Sequence, residues 1–498
     1  MSQRPHHQST HTARLMIGGK VFDHAALHDA AQADSLQQAL DAARQKYGHA
    51  LCLCRRQKLK LQVRLRDGLY HLAVWPNEGP LHDAQCIFFR DDLNLYLSHS
   101  HTQPTMTLPP SSGGAQPESP KRRHLRLAMP GYVRVAPELS RPPAPSFGGN
   151  DKDTDGSTAA PVMNLKSLAM LLWREASLCR WHHSWQRDWG RARHELVAAA
   201  CQITINGTDL DSMLFVPRVF RESAKDALNA QWERFVTGLI HRKPALALLI
   251  APVRSYSTGD DRPAVIRLRH LRHPVGLSQS CNEFIDNDCK AALRQVQTNL
   301  DYPRIARNEV QERERIALRR NPEVMGFFLV EASSRGGLWA KAGWLMSVHP
   351  GCFIPTNNPN QVMLVDALIE QGYTFQRVLT DATPMKKTAP DWIVRHVLDP
   401  KGVPVPRAAL DITDRGQSLE YLQARAAMSR RMAEQGIPTW YWMPVGTWSQ
   451  RTVPPLPPHD HLPRDQAHHA INLISAGADS DYRYGPSPRF HQFIHVHQ

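Results

Sequence analysis

The segment from Pro390 to Thr413 constrains the fold more than any other part of the chain. It contains two apolar runs with the length and composition of β-strands, separated by a turn. Each run carries one carboxylate, Asp391 in the first and Asp411 in the second. Strands joined by so short a turn pair with each other. The two acids are therefore predicted to meet on an α/β sheet, where carboxylate oxygens can hold a hard cation such as Mg²⁺.

Two acids on adjacent strands are typical of metal-dependent nucleases, which hold a cation against a phosphate. The class usually has a lysine two residues after the second acid, and Thr413 stands there instead. Gln361, at the start of a predicted helix, would assist the metal. On a later helix Arg425, or its neighbours Arg430 and Arg431, would supply the missing positive charge. In the alternative interpretation, Asp391 is a turn acid and Asp411 is a strand-end acid.

A second group of residues predicts a metal site near the start of the chain. Cys52 and Cys54 precede a predicted β-hairpin, and His82 and Cys86 follow it. Three thiols and an imidazole at the two ends of one β unit suit a structural, tetrahedral zinc ion. The alternative is that the thiols are ordinary buried cysteines and His82 is a surface histidine.

Basic side chains in two regions are candidates for binding a phosphate backbone. Lys60, Arg64 and Arg66 alternate along the first strand of the hairpin and share one face. Arg187 and Arg191 lie among tryptophans, an arrangement that can stack bases and contact phosphates. Tryptophans at helical spacing are also common in hydrophobic cores, so this second pattern has two interpretations.

The charge of the whole chain favours an anionic partner. Its 498 residues include 60 Lys and Arg against 46 Asp and Glu, a formal net charge of +14. Such a field favours nucleic acid, and DNA in particular, over neutral partners, although basic surfaces also serve solubility. No apolar window is long enough to predict a membrane span. Scattered cysteines and the lack of a secretory signal predict a reducing cytoplasm.

Composition along the chain predicts a multi-domain α/β protein. Its predicted regions are a disordered start (1–20), a helix with a small β zinc-binding module (21–100), a linker rich in Pro, Ser and Gly (101–160), a mainly helical middle domain (161–322), a PD-(D/E)XK nuclease-like, restriction-endonuclease-like α/β domain (323–448) and a disordered tail (449–498).

Several segments between residues 45 and 445 are similar to one family. They are Cys52-Leu53-Cys54, Tyr70 to Pro76, His82 to Cys86, Leu171 to Ala176, Trp181, Phe353-Ile354-Pro355 and Pro390-Asp391-Trp392. In these segments the chain resembles a proteobacterial family of uncharacterised proteins of plasmids and integrative conjugative elements. It is also similar, more distantly, to the CoiA competence proteins. The resemblance implies a role tied to mobile DNA and a nuclease-like C-terminal domain.

Polar positions of the resembled site differ in this chain. Gln361 stands where the family pattern has a helix glutamate, Asp411 where it has a strand glutamate, and Ala426 where it has a lysine. These changes imply a weakened or lost active site. Three functions stay open: a DNA-binding protein with a degenerate nuclease-like domain, an active Mg²⁺-dependent nuclease, and a non-enzymatic protein-interaction subunit. The oligomeric state is not predicted.

Overall fold

A computed structural model gives the fold. It describes residues 14–27, 32–66, 69–75, 78–83, 86–89, 123–127, 162–241, 246–259, 262–305, 321–332, 337–379, 389–413, 418–444, 451–476 and 482–485. The chain forms two compact units, Met1–Pro120 and Lys121–Gln498, each with its own hydrophobic core. Of the predicted disordered start (1–20), residues 1–13 lie outside the described residues, and residues 14–20 form a strand and a turn, so that part of the prediction is wrong. Most of the predicted linker (101–160) also lies outside the described residues, and its residues 123–127 form a strand.

The first unit is an antiparallel sheet covered by a helix. Its strands follow the spatial order β2-β1-β3-β4-β5. Their bounds, with that of helix α1, are β1 (Arg14–Ile17), β2 (Lys20–Asp23), α1 (Ala33–Tyr47), β3 (His49–Cys52), β4 (Leu59–Arg66) and β5 (Leu69–Val74).

Alternation and helical spacing explain the core of the first unit. Leu59 and Leu61 on β4 are buried in the same core as Leu36 and Leu40 of α1. The helix ends at Gly48, whose φ of 70° is left-handed and suits a residue without a Cβ. The sheet therefore has a covered face, and β3 leads directly from the end of this helix to Cys52.

The second unit contains the remaining helices and strands. Its helices are α2 (Leu165–Glu175), α3 (Trp189–Ala200), α4 (Leu210–Met213), α5 (Lys225–Ile240), α6 (Gln279–Asp288), α7 (Lys290–Ile305), α8 (Pro359–Glu370), α9 (Leu419–Glu434) and α10 (Arg464–Ala476). Its strands before residue 300 are β6 (Arg123–Leu127), β7 (Val162–Met163), β8 (Arg180–Trp181), β9 (Ile203–Ile205), β10 (Thr208–Asp209), β11 (Leu214–Phe215), β12 (Ala247–Gly259), β13 (Arg262–Leu268) and β14 (Val275–Leu277). The later strands are β15 (Glu323–Ala332), β16 (Leu338–Val348), β17 (Phe375–Arg377), β18 (Trp392–Leu398), β19 (Pro404–Ile412), β20 (Thr439–Trp442) and β21 (Tyr482–Gly485).

These strands form two larger sheets and a small one. The first large sheet has the order β11-β12-β13-β14-β16-β15, with a further pairing of β12 and β15. The second has the order β21-β20-β19-β18-β17-β8, in which β19 and β20 are parallel and the other pairs antiparallel. The small sheet has the order β10-β9-β6-β7. In the described part of the chain, no helix has both the length and the apolarity needed to cross a membrane.

The predicted mixed α/β class is confirmed, and the arrangement within it differs from the predicted regions. Strands β15 and β16 complete the sheet of β11 to β14, and β8 pairs with β17. The regions predicted as separate domains, 161–322 and 323–448, thus share both large sheets. Strand β12 also extends far beyond the short strand-like run at residues 246–250, because β13 and β15 pair with it on its two sides.

The described part of the predicted disordered tail, residues 451–476 and 482–485, instead contributes to the second large sheet. Its strand β21 pairs antiparallel with β20. The proline-rich segment before it is anchored by buried donors: the Tyr373 hydroxyl donates to the Pro457 carbonyl at 2.6 Å, and Trp440 Nε1 donates to the Pro455 carbonyl at 2.9 Å. Such tertiary contacts order a segment whose composition alone suggests a disordered chain.

Candidate metal centre and buried acid pair

The four predicted metal ligands come together in the first unit. Strand β3 ends at Cys52, and the β4–β5 hairpin brings the chain back to a short 3-10 turn, Gly79–Leu81. His82 follows that turn directly, and Cys86 comes four residues later. Strand β4 pairs with β3 on one side and with β5 on the other. The residues before the hairpin and the residues after it therefore lie close together. We call Cys52, Cys54, His82 and Cys86 the Cys/His cluster.

The distances within the Cys/His cluster fit a tetrahedral metal ion. The Sγ atoms of Cys52 and Cys86 are 3.5 Å apart, and His82 Nδ1 lies 3.4 Å from Cys54 Sγ and 3.7 Å from Cys86 Sγ. All four ligand atoms lie within 4.8 Å of one another. Zinc bonds to sulfur and nitrogen imply ligand-to-ligand distances of about 3.6–3.8 Å. The cluster can therefore hold a metal ion.

The surroundings of the cluster favour thiolate ligands. Cys52, His82 and Cys86 are buried, and Cys54 is partly exposed. The backbone N–H of Asp83 donates to Cys54 Sγ at 3.4 Å, and the N–H of Phe88 donates to Cys86 Sγ at 3.4 Å. Such second-layer hydrogen bonds orient sulfur ligands and stabilise their negative charge.

The thiols influence each other's ionisation. The hydrogen bond with Cys54 raises the pKa of Cys52 to about 12, whereas hydrogen bonds with Cys52 and Cys86 lower the pKa of Cys54. Contact with Cys52 and Cys54 also raises the pKa of Cys86. Ionisation of Cys54 therefore disfavours ionisation of Cys52 and Cys86, because two or three negative charges would repel one another in a largely buried site. A divalent cation removes that conflict by binding all of them.

The second unit places Asp391 and Asp411 side by side. In the antiparallel β18–β19 pair Trp392 lies opposite Leu410. Asp391, the residue just before β18, therefore comes beside Asp411, the residue after Leu410 on β19. The backbone N–H of Asp391 donates to Asp411 Oδ1 at 3.3 Å. Both side chains are buried, with exposures of 3% for Asp391 and 0% for Asp411. We call these two residues the acid pair.

A guanidinium group already binds the acid pair. Arg425, on helix α9 and 0% exposed, donates from Nη2 to Asp391 Oδ2 at 2.7 Å and also to Asp411 Oδ1. Its Nη1 donates to the Ala389 carbonyl at 3.3 Å. Burial alone would lower the pKa of Arg425, but the charges of Asp411 and Asp391 outweigh it and raise that pKa. Arg425 is therefore a permanent cation.

A second arginine completes the charge balance. Arg377 on β17 binds Asp391 Oδ1 from Nη1 at 2.6 Å and donates to the Asp391 carbonyl at 3.1 Å. Its guanidinium also lies over the Trp392 ring, 4.7 Å from the centroid. The result is a buried group of two carboxylates and two guanidinium ions. The sequence analysis did not identify Arg377, because it comes from a separate strand with no motif of its own.

Gln361 makes hydrogen bonds to the backbone and side chain of residues at the start of helix α8. Its side-chain Oε1 accepts from the Asn357 backbone N–H at 2.8 Å, and its own N–H donates to Asn358 Oδ1 at 3.0 Å. The Asn358 side chain thus caps the N-terminus of α8, and the Gln361 side chain fixes the residue before that cap. Thr413, in the position expected for lysine, is buried, and its hydroxyl has no hydrogen-bond partner among the described residues.

The two arginines predicted to bind nucleic acid in the second unit, Arg187 and Arg191, differ in exposure and in hydrogen bonding. Arg187 donates to the carbonyls of Cys352 at 2.8 Å, Ser177 at 3.2 Å and Arg180 at 2.8 Å, so its guanidinium is occupied within the fold. Arg191 is exposed and forms an ion pair with Glu195 at 2.7 Å.

The basic residues predicted to bind nucleic acid on the β4–β5 hairpin also differ in their contacts. Lys60 is exposed and its Nζ lies 5.5 Å from the Trp75 ring centroid, whereas Arg64 donates from Nε to Gln62 Oε1 at 3.0 Å. The side chain of Arg66 lies outside the described residues. Lys60 and Arg191 are thus the exposed members of the predicted set.

Comparison with known proteins identifies a family and no individual relative. None of the curated proteins and none of the solved structures matches the chain. Residues 22–445 match a family described as "Protein of unknown function (DUF1173)". That match spans both the Cys/His cluster and the acid pair. This chain therefore belongs to the DUF1173 family.

Proposed function

We propose that this protein binds nucleic acid and does not hydrolyse it. The observation that carries the second half of the proposal is the contact of Arg425 with both members of the acid pair. A hydrolytic site needs carboxylate oxygens that are open to a metal ion and to the scissile phosphate. Here the two carboxylates are buried and bound to Arg425 and Arg377. The acid pair then holds the sheet and helix α9 together instead of performing chemistry.

Charge supports the nucleic-acid half of the proposal. The formal net charge of +14 gives the chain a field that attracts a polyanion. The resemblance to proteins of plasmids and integrative conjugative elements supports DNA of a mobile element as the ligand. It likewise supports a nuclease-like origin of the domain that carries the acid pair.

Zinc is the metal that we assign to the Cys/His cluster. Three thiolates and one imidazole form a closed tetrahedral set, which is the usual arrangement of a structural zinc site. The ion would hold the end of β3 to the segment after the hairpin and would leave no coordination position for a substrate. The eight cysteines are all free thiols, which supports a reducing compartment such as the cytoplasm.

A cleavage assay and a binding assay test the proposal together. Supercoiled plasmid and circular single-stranded DNA are incubated with millimolar Mg²⁺ and either the natural protein or the Asp391→Asn variant. We expect no cleavage above that of the variant. We also expect DNA retention that weakens with salt, with a log–log slope of about 0.7–0.9 for each phosphate neutralised.

Two results would contradict the proposal in different ways. Mg²⁺-dependent nicking by the natural protein that disappears in Asp391→Asn would make the acid pair an active site. Absent DNA retention, or retention that does not change with salt, would favour a protein-interaction role instead.

A further inference from the structure

The second unit contains a large cationic groove that is separate from the acid pair. Its volume is about 720 Å³, within the range of ligand-binding pockets. It lies between helix α5, strands β12 and β13, and the loop that follows β13. We call it the cationic groove.

The charges that line the cationic groove are strongly unequal. One acid, Glu222, lies among five cationic residues: Arg218, Lys225, Arg254, Arg269 and Arg272. Lys225 pairs with Glu222 at 3.2 Å, and Arg269 pairs with Glu323. Arg254 and Arg272 are exposed and have no ion pair with any residue in the described ranges. The groove therefore presents uncompensated positive charge to a ligand.

A backbone irregularity places Arg254 in the groove. The register of β12 against β13 shifts between Val253 and Ser255, so Arg254 is the extra residue of a bulge. Bulges redirect a side chain that regular alternation would place on the opposite face. Val253, the residue before it, also lines the groove, although neighbours in a regular strand face opposite sides.

Aromatic faces accompany these charges. Phe220 is 49% exposed, and its backbone N–H donates to His270 Nδ1 at 3.2 Å. His270 has a left-handed φ of 64° and stacks on Trp189 at a centroid distance of 6.3 Å. A non-glycine residue with this conformation persists where the surrounding structure holds it firmly. The exposed Phe220 ring is thus attached to a rigid support.

A second stacked pair lines the same groove. The rings of Trp232 on α5 and His273 lie 6.2 Å apart, at an interplanar angle of 12°. Both residues line the groove, and His273 is exposed. Aromatic rings beside cationic side chains are the combination by which proteins bind unpaired bases and their phosphates at the same time.

We propose that the cationic groove binds a single-stranded segment of nucleic acid. This inference rests on the proposed function and names its ligand class. Arg254 and Arg272 contact phosphates, and Phe220 stacks on a base. A duplex keeps its bases paired and stacked inside, so an exposed phenylalanine gains a stacking partner only from an unpaired base. Phosphate contacts alone would not distinguish the two forms.

Fluorescence anisotropy of the full-length protein with a labelled oligothymidylate tests this assignment at several salt concentrations. The Arg254→Ala/Arg272→Ala variant should bind more weakly, and its log–log salt slope should fall by about 1.4, since each single-strand phosphate contact contributes about 0.7. The matched control is Arg267→Ala/Arg294→Ala. It removes two exposed arginines of the same unit that do not line the groove, and its slope should fall by less than half as much.

Phe220→Ala separates stacking from charge. Affinity should fall on the order of tenfold at every salt concentration with an unchanged slope. Phe220→Leu, which keeps an apolar side chain without a ring, should lose nearly as much. Circular dichroism and the thermal midpoint, unchanged in both variants, exclude misfolding as the cause.

The outcomes distinguish this inference from the proposed function. If the natural protein binds the oligonucleotide but the groove variants bind equally well, the groove assignment is wrong and the proposed function stands. If the protein binds no nucleic acid in a salt-dependent way, both fail. Equal affinity for a duplex, or for a free nucleoside triphosphate, would overturn the single-strand assignment alone.

Discussion

The Cys/His cluster and the acid pair both gather acidic groups in a buried place, and they balance them by different means. In the first unit, the Cys/His cluster itself consists of three thiols and one imidazole, whose ligand atoms face one another. In the second unit, the guanidinium groups of Arg425 and Arg377 bind the two carboxylates directly. The first arrangement can take its cation from solution as a metal ion, whereas the second carries its cations in the chain. Only the first should respond to chelators.

The largest expected effect is loss of metal from the Cys/His cluster. Structural zinc contributes about 10 kcal/mol or more to small metal-dependent folds. We therefore expect a chelator, or Cys52→Ser, to unfold the first unit, with loss of amide protection in β3 and β4 by hydrogen exchange. The second unit should keep its protection.

Metal analysis provides the control for that experiment. The purified protein should contain one zinc per chain, and Cys201→Ser, a change at a thiol distant in sequence from the cluster, should keep it. If the protein contains no zinc and the amides of its first unit are still fully protected, the Cys/His cluster does not need a metal ion and this prediction is wrong.

The next effect is removal of the built-in cation. Arg425→Ala leaves the acid pair buried with less compensation and should lower the free energy of unfolding by about 3–5 kcal/mol. Arg425→Lys keeps the charge but loses the forked geometry, so we expect a smaller loss. Urea denaturation of the three proteins measures the difference.

The same variant tests whether Arg425 occupies the place of a metal ion. Millimolar Mg²⁺ should raise the thermal midpoint of Arg425→Ala relative to EDTA and should leave that of the natural protein unchanged. If Mg²⁺ does not stabilise the variant, the acid pair is an ion pair with no cation-binding geometry.

The smallest effect concerns Tyr441, which lies opposite Asp411 on the neighbouring strand. Burial, and then the charge of Asp411, raise the pKa of Tyr441 above its usual value near 10. The folded state therefore keeps this proton at a pH where the unfolded chain has lost it. The contribution of Tyr441 to stability is constant below pH 10 and falls by up to about 1.4 kcal/mol per pH unit above it.

Comparison with Tyr441→Phe isolates this contribution. Between pH 9 and pH 11 the natural protein should lose more stability in urea than the variant does. Parallel losses would mean that Tyr441 ionises as easily in the folded protein as in the unfolded chain, and that the field of the acid pair is weaker than the structure suggests.

The sequence predicted the parts of these sites that depend on local spacing. The ligands of the Cys/His cluster lie at the ends of one hairpin, and the acid pair belongs to two strands joined by a turn, so short-range pattern was enough to bring each set together. The helix after the second strand offered Arg425, Arg430 and Arg431 as the cation, and the packing of that helix brings Arg425 to the acid pair. Arg377 was not, because its contact depends on how a third strand enters the sheet.

The cationic groove could not be read from the sequence for a related reason. Its residues come from separate segments, and each segment has an ordinary composition. The bulge at Arg254 and the left-handed backbone of His270 arise from pairing and packing, which leave no local signature. Tertiary contacts likewise order the segment around Pro455 and Pro457, whose composition indicates a flexible chain.

The two edges of the second large sheet have a consequence for how the chain folds. One edge is β8, at Arg180–Trp181, and the other is β21, at Tyr482–Gly485. During synthesis the ribosome releases the first of these strands long before the second. Strand β8 therefore stays unpaired until its partner β17, at Phe375–Arg377, has been synthesised, and long-range pairing of this kind is slow. Nascent chains of this protein should keep β8 open to chaperones until β17 emerges.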